Sequence, residues 1–302
     1  MAFLRASARA PIAAAALAVL ALVGSAERAS AQLAMEPLKD SGQNIYPAFE
    51  GWYQNADGTY SLLIGYYNRN KKEVLDIPIG PDNKIEPGGP DQGQPTHFLV
   101  GRGWGTIAIK VPKDFGDKKL MWTITANGKT VSIPLGLVKG YQVEPYRDAA
   151  MGNTPPTIKF QPSGPTLQGP PLPLAQAFSM NAVAGEPATI NMWAADEGPT
   201  EQAPAAGGAT SAAGAAAPPR TPRLSLVLSH YRGVGTITFA DSTPEIEKDG
   251  KATTTATFSQ PGEYVIRVEG NDSSGVGGGG FQCCWTTAYI RVTVKSAATG
   301  GL

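Results

Sequence analysis

A strict alternation of side chains between residues 252 and 294 is the feature that most constrains how this chain can fold. Thr253, Thr255 and Thr257 share one face of a run of eight residues, and a second alternating run begins at Tyr264 after a Pro-Gly turn. A period of two is typical of β-strands whose two faces meet different environments. We therefore predict the last three strands of a β-sandwich here. Tyr264 is predicted to bury its ring and to bond its hydroxyl back to the nearby backbone.

The composition favours an all-β protein with two domains. The chain has 302 residues, of which 36 are Gly and 26 are Pro. Apolar runs after residue 31 are short and show no long helical period, which favours sheets over helices. A chain of this length suits two domains of about 100 residues each with linkers.

The first 31 residues have the three parts of a secretory signal peptide. Arg5 and Arg9 precede an apolar run at residues 11–23, and small residues end the segment at Ala31. We predict cleavage after Ala31, with Ala26 as the alternative, and export to the periplasm or the cell exterior. No later apolar run approaches the roughly 20 residues that a membrane span needs, so no span is predicted in the mature chain.

The charge of the predicted mature chain disfavours nucleic-acid binding. Removing residues 1–31 takes three Arg and one Glu from 25 basic and 25 acidic side chains, which leaves a net charge of −2. Binding to phosphates needs a concentrated basic surface. Neither predicted domain has one, so the expected partner is a protein or a cell-surface polymer.

Residues 46–148 are predicted to form the first sandwich. Strong hairpin turns are predicted at Asp57-Gly58 and at Asn127-Gly128. Around them lie seven short strand-like segments, FEGWY, TYSLLIGYYN, VLDIPIG, THFLV, TIAIKV, LMWTITA and KTVSIPLG. Seven short strands in about 100 residues are typical of an immunoglobulin-like sandwich.

Proline and low complexity mark the remaining boundaries. Residues 149–178 are rich in Pro and are predicted to be a semi-rigid linker. Residues 157–160 within it are a candidate for a first strand. The second sandwich is predicted at 179–296. Residues 198–222 interrupt it with Ala, Gly and Pro, a composition that predicts a disordered insertion.

The second predicted domain resembles a known family. The segment AGEPATINMWAADEG, the Ala/Thr-rich strand followed by Pro-Gly-x-Tyr, and the Asn-Asp-Ser-Ser-Gly turn are similar to a PKD-type or related immunoglobulin-like module of bacterial secreted proteins. The resemblance covers residues 182–294. It implies an extracellular spacer or binding module without chemistry of its own.

Motifs for catalysis are weak. His97 and His230 fall in different predicted domains and are interpreted as ordinary residues at strand ends, and Gly-x-Ser-x-Gly is absent. Gly275–Gly280 satisfies G-x-G-x-x-G, but no helix follows, so we predict a hairpin tip. Zinc held by His230 with Cys283 and Cys284 is disfavoured because the two Cys are adjacent. We predict that the protein is not an enzyme and that it binds no cofactor.

Calcium is the metal that the loop residues favour most. Asp196, Glu197, Asn271 and Asp272 supply oxygen ligands in loops that are expected to meet at one end of the second sandwich. The alternative interpretation, which we prefer, is that they form Asx turns and solvated acids. We therefore predict no metal site.

Four aromatic residues are candidates for a ligand surface: Trp104, Tyr67, Tyr53 and Trp285. Aromatic rings on a sheet face can stack on sugars, which makes a carbohydrate-binding module the first alternative function. Core or interdomain packing of these rings is the competing interpretation. Two carboxylates in a deep cleft would favour the second alternative, a hydrolase built on a sandwich.

Cys283 and Cys284 are the two cysteines of the chain and are adjacent. Export to an oxidising compartment favours pairing, whereas a regular strand would keep two separate thiols. A vicinal disulfide, two thiols and an intermolecular bridge all stay open. A vicinal ring beside Trp285 would be an apolar candidate surface. The function predicted overall is a non-catalytic secreted or periplasmic spacer or binding module.

Overall fold

Two hydrophobic cores organise the chain, and each is made by the inward side chains of β-strands. The structure is a computed structural model that describes residues 37–148, 152–197, 224–277 and 283–297. Apart from one short 3₁₀ turn, its elements are strands, which confirms the predicted all-β class. In these ranges no helix is long and apolar enough to cross a membrane.

The first sandwich closes over a core that includes the fully buried Trp122 and Phe98. One sheet has the order β1-β2-β6 and the facing sheet has the order β4-β7-β8, with β3 and β5 pairing at one side. This division of strands corresponds to the A-B-E and C-F-G sheets of immunoglobulin-like sandwiches. Its strands are β1 (Ile45–Gln54), β2 (Tyr60–Asn68), β3 (Leu75–Asp76), β4 (Asn83–Glu86), β5 (His97–Phe98), β6 (Gly101–Val111), β7 (Leu120–Ala126) and β8 (Lys129–Leu135).

The second sandwich has its own core, which includes Phe258 and Tyr264. One sheet has the order β10-β9-β12-β15-β14 and the other the order β11-β17-β16-β13, with β11 parallel to β17. These orders also fit the immunoglobulin-like arrangement. Its strands are β9 (Thr157–Lys159), β10 (Leu167–Gln168), β11 (Phe178–Val183), β12 (Pro187–Ala195), β13 (Ser225–Arg232), β14 (Ile237–Phe239), β15 (Lys251–Phe258), β16 (Gly262–Asn271) and β17 (Trp285–Lys295).

Local sequence signals account for the turns. Asn127 and Gly128 both have positive φ, 48° and 73°, as a two-residue hairpin between β7 and β8 requires. Tyr264 is 1% exposed, and its hydroxyl donates to the carbonyl of Gln260 at 2.8 Å. The predicted tyrosine corner is therefore confirmed.

The described part of the proline-rich segment packs into the second sandwich. Strand β9 pairs with β12, and β10 pairs with β9. The described residues from Leu38 onward belong to one compact unit. The predicted signal peptide 1–31, residues 149–151 of the predicted linker and the predicted disordered insertion 198–222 lie outside the described residues, and the division into two domains stays a prediction.

Candidate functional site

The interface between the two sandwiches contains several buried polar and charged groups, among them Glu50 and Glu269. Strand β6 lies at the edge of its sheet, so half of its backbone groups have no strand beside them. Side chains of the second sandwich bond to these groups instead. Tyr231 and Tyr289 both donate their hydroxyls to the carbonyl of Thr106, and Arg267 donates to the carbonyl of Trp104 at 2.7 Å. The second sandwich thus covers an edge that would otherwise be open.

Glu50 is held at this interface by two irregularities in the strands. The register of β1 shifts beside Glu50, and the register of β6 shifts opposite Gly65 of β2. The carboxylate of Glu50 accepts from Arg102 at 2.5 Å and from the N–H of Gly105 at 2.8 Å. A Cβ at Gly65 would lie 2.1 Å from Glu50 Oε1, so only glycine leaves room for this carboxylate.

A second buried ion pair faces the first from the other sandwich. Arg267 and Glu269 of β16 pair with each other, and their side chains are 12% and 7% exposed. Arg267 also donates to the hydroxyl of Thr287 at 3.2 Å. Because buried charges are costly unless they are paired and hydrogen-bonded, this arrangement fixes the side chains in one geometry.

Burial shifts the proton equilibria of these groups. Desolvation raises the pKa of Glu50, although the Arg102 charge opposes the shift. Desolvation is the largest single effect on Arg267 and lowers its pKa, but the charge of Glu269 together with Tyr289, Tyr66 and Tyr231 outweighs it, and the net direction is upward. Burial also raises the pKa of Tyr66 and of Tyr289 to about 12 each. Perturbed pKa values mark either active sites or structural networks. Here the groups bond to backbone and to one another, which indicates a structural network.

Apolar contacts surround this polar network. Tyr231, Val265 and Tyr289 form a third buried cluster, against which Leu174 and Ala177 pack. The Tyr231 and Tyr289 ring centroids are 4.8 Å apart. The interface therefore combines buried apolar area with hydrogen-bonded polar groups, although Arg267 Nε and His230 Nε2 are buried there without a hydrogen-bond partner among the described residues.

The two histidines meet across the interface. The rings of His97 and His230 stack with centroids 4.1 Å apart, and His97 Nδ1 lies 2.7 Å from Asp76 Oδ1. His97 begins β5 and His230 lies near the end of β13, so both are close to strand ends, and the contact between β5 and β13 brings the two rings together. Burial, followed by the proximity of His97, lowers the pKa of His230 to about 4.

An ion pair at the rim completes the contacts. Arg232 donates to both carboxylate oxygens of Asp91, at 2.8 and 3.0 Å, and to the carbonyl of Gln94. The N–H of Thr96 also donates to the carbonyl of Tyr231 at 3.2 Å. Asp91 is a partly exposed acid whose pKa is lowered by Arg232 against the effect of its own burial.

The four aromatic candidates do not form a platform. Tyr53 is 6% exposed and packs edge-on against Tyr146, whereas Tyr67 is half-buried on β2. Trp285 is 5% exposed, and its ring fills the space above Gly105. Trp104 is half-buried, with the guanidinium of Arg102 4.2 Å from its ring centroid. The two tryptophans are therefore brought together as packing residues of the interface.

The four calcium candidates lie where β12 and β16 end, and their meeting at one end of the second sandwich stays a prediction. Asp272 is 1% exposed, and its carboxylate accepts from Asn153 Nδ2 at 2.5 Å and from the N–H and hydroxyl of Ser274. Asp196 and Glu197 follow β12, and Asn271 ends β16. Among the described residues no cluster of three or more His, Cys, Asp or Glu could hold a metal. The Asp272 carboxylate bonds within the turn that contains Ser274.

The cysteine pair lies just before β17. Cys283 and Cys284 are joined by a disulfide and a cis peptide bond, and they are 7% and 1% exposed. Cys284 Sγ is 3.3 Å from the carbonyl of Asn153. The ring is thus buried beneath the surface. Gly277 of the glycine-rich motif packs against Trp104, and residues 278–280 lie outside the described ranges.

A cleft of about 600 Å³ runs along the interface beside β6. Residues of both sandwiches and of the proline-rich segment line it, among them Ile109, Leu172, Val265 and Arg291. Its volume falls within the range of about 300–1,000 Å³ that is common for binding sites. The alternating patterns gave no indication of this cleft or of the buried ion pairs.

Comparisons with known proteins add little. No family model matches the chain, and no curated protein matches it. Among solved structures, the chain is similar to WR4, a C. elegans MSP family member, with 11% identity and a TM-score of 0.25, over 39% of this chain and 92% of that chain. It is also similar to the D0-D1 domain of intimin, with 10% identity and a TM-score of 0.21, over 84% of this chain and 95% of that chain. TM-scores this low assign neither a family nor a function to the chain.

Proposed function

We propose that this protein is a non-catalytic module, exported to the periplasm or the cell exterior, that acts as a spacer or binding module for a protein or surface polymer. In this proposal, residues 46–148 and 179–296 are two domains, and the second is a PKD-type or related immunoglobulin-like module. The observation that carries the proposal is the bonding of Thr106 and Trp104 of β6 by three side chains of the second sandwich.

A spacer or binding module must hold its surfaces in a fixed relation. Two sandwiches joined by a linker alone would reorient freely. Here one sandwich supplies hydrogen bonds to the edge strand of the other, and Arg232 bonds Asp91 and Gln94 at the rim. Separation would expose the Arg267–Glu269 pair and unsatisfied carbonyls, which costs free energy. This coupling favours one fixed orientation.

Distances between spin labels test this orientation. Lys118 and Lys248 are exposed, one in each sandwich, and replacement of both by Cys allows labelling while the native pair stays oxidised. We expect one narrow distance distribution. The double variant Tyr231→Phe/Tyr289→Phe should broaden it, whereas Tyr67→Phe, a half-buried control, should not. A broad distribution in the unmodified background would contradict a fixed spacer.

Export and lack of catalysis are tested separately. The intact mass of the exported protein should begin at Gln32, and recovery with Met1 retained would refute export by signal cleavage. Hydrolysis of an ester, peptide or glycan substrate that disappears on replacing one acidic residue would refute a non-catalytic role.

A further inference from the structure

The outer edge of β6 is covered over only part of its length. The backbone of Trp52 in β1 bonds to Tyr141 and Val143, so its groups point away from β2. Along an antiparallel strand, the backbone N–H and C=O groups of successive residues point alternately to the two neighbouring strands. Leu62 lies opposite Trp52, whose N–H and C=O point away from β2, so the N–H and C=O of Leu62 point toward β6. Leu62 pairs with Ile109. The N–H and C=O groups of the residues flanking Ile109 consequently point outward.

Those flanking residues are Ala108 and Lys110, and the same alternation turns Thr106 outward. Thr106 has its carbonyl bonded by Tyr231 and Tyr289. Within the described residues, by contrast, no hydrogen bond reaches the outward backbone groups of Ala108 or Lys110. Pro112 then ends the strand without an N–H to offer. Two consecutive outward positions of β6 are thus open.

The proline-rich segment flanks this open edge without pairing to it. Residues 170–173 read Pro-Pro-Leu-Pro, so Leu172 alone carries an N–H there. Leu172 is 47% exposed although it is apolar. The segment lies beside the edge of β6 but does not hydrogen-bond to the outward backbone groups of Ala108 and Lys110.

Two clefts meet at this gap. The cleft of about 600 Å³ and a second cleft of about 320 Å³ share Ala108, Lys110, Leu172 and Pro173 in their linings. A strand placed in the gap would send alternate side chains into the two clefts, because successive side chains of a strand point to opposite faces. The outward edge of β6 thus offers backbone hydrogen bonds to an added strand, and the two clefts offer sites for its side chains.

We propose that an extended, proline-free segment of a partner protein binds here as an added strand along Ala108–Lys110. The inference rests on the proposed binding function and names the partner as an extended peptide. Backbone hydrogen bonds supply affinity in this mode, and the flanking clefts supply selectivity. The added strand continues the existing interface, in which Thr106 and Trp104 of the same edge are already bonded by the second sandwich.

Two features favour a peptide over a second copy of this chain. The open edge lies between Leu172 on one side and the rim of the second sandwich, with Val265 and Arg291, on the other. A second copy would carry its own β6 at the bottom of the same cleft, so the two edges would not meet. Arg291 is exposed and forms no ion pair within the described ranges, so it is available to an acidic side chain of the peptide.

Amide exchange in the purified protein tests the open edge first. We expect the N–H groups of Ala108 and Lys110 to exchange much faster than those of Ile107 and Ile109, which bond to β2. Slow exchange at both outward positions in the dilute protein would overturn the proposal, because it would mean that the edge is already covered. Protection that rises with protein concentration alone would identify a second copy as the occupant and would also overturn it.

Peptide binding is the second arm. The probe is a fluorescein-labelled heptapeptide, Thr-Val-Thr-Val-Glu-Val-Thr, acetylated and amidated, and the readouts are anisotropy and slower exchange at Ala108 and Lys110. Ala108→Pro removes an outward N–H without breaking a β2 bond, so affinity should fall by about tenfold or more, while Ala108→Ser should retain it. A probe methylated on alternate backbone nitrogens, so that it cannot donate to β6, should also fail, which covers the case in which Ala108→Pro does not fold.

Failure of the unmodified probe to bind would overturn the inference, as would equal binding of the methylated probe. Either result together with a narrow spin-label distribution would leave the proposed spacer or binding role intact. A broad distribution would instead refute that role, whatever the peptide does.

Discussion

At the scale of single residues, glycine positions decide where buried charge can sit. Gly65 lies between the two strand irregularities, and its missing side chain makes room for the carboxylate of Glu50. Gly105 in the same way makes room for the ring of Trp285. Each glycine is required by a neighbour that is distant in sequence, so its role depends on tertiary contacts.

Gly65→Ala should destabilise the protein by about 1–3 kcal/mol. The new Cβ would lie 2.1 Å from Glu50 Oε1 and 2.3 Å from the carbonyl of Gly103, and backbone cannot move aside as a side chain can. Urea unfolding measures the loss. Gly80→Ala is the matched control, because a Cβ at Gly80 meets nothing within 4 Å. Equal effects of the two substitutions would contradict the argument.

His230 should make the stability depend on pH. Its pKa falls from the ordinary 6.5 to about 4 in the folded protein, first through burial and then through His97. The unfolded chain therefore binds more protons between those values, and the stabilisation present above pH 6.5 is lost as the pH falls toward 4. The loss is on the order of 1 kcal/mol once the partial exposure of the ring is allowed for.

Replacing His230 by Phe isolates this contribution. The variant keeps a ring that can stack on His97 but has no group that titrates. The difference in urea midpoint between the protein and His230→Phe should change between pH 6.5 and 4, and it should be constant above pH 7. A difference that is flat across the whole range would show that His230 titrates normally.

At the scale of elements, the edge strand β6 is where the second sandwich bonds to the first. One part of its outer edge is bonded by side chains of β13, β16 and β17, and the next part is open. Side chains rather than another strand close the bonded part. This explains how two sandwiches join without forming one continuous sheet.

Tyr231 and Tyr289 should show strong coupling. Both hydroxyls lie within hydrogen-bonding distance of the carbonyl of Thr106, and Tyr231 also reaches the carbonyl of Gly93 at 2.7 Å, so either single change to Phe leaves one donor beside Thr106. Each single substitution should cost about 1 kcal/mol, and the double substitution should cost more than the sum, because it leaves a buried carbonyl unsatisfied. A double-mutant cycle in urea measures this. Tyr67→Phe serves as the control, and strict additivity would argue against a shared acceptor.

At the scale of the whole molecule, the interface should make the two cores unfold together. The Arg267–Glu269 and Arg102–Glu50 pairs are buried between the sandwiches. Unfolding of one sandwich would expose these pairs and remove contacts that stabilise the other sandwich. We expect one calorimetric transition whose calorimetric and van't Hoff enthalpies agree. Two resolved transitions would show that the sandwiches are independent.

The sequence by itself determined the all-β class, most of the strands, the hairpin turn at Asn127-Gly128 and the tyrosine corner at Tyr264. These features depend on period-two alternation and on backbone preferences of a few neighbouring residues, which a sequence displays directly. Strand β4 was missed, since its four residues carry a single core side chain, Ile85, that is fully buried.

Only the tertiary structure decided what the outward faces of the strands do. In β16 the sequence places Arg267 and Glu269 opposite the core face, where a lone sandwich would expose them to water. The other sandwich buries them, as it buries Trp285 and brings His97 onto His230. Local alternation separates two faces of a strand but does not specify what covers the second face, because that contact joins residues more than 100 positions apart.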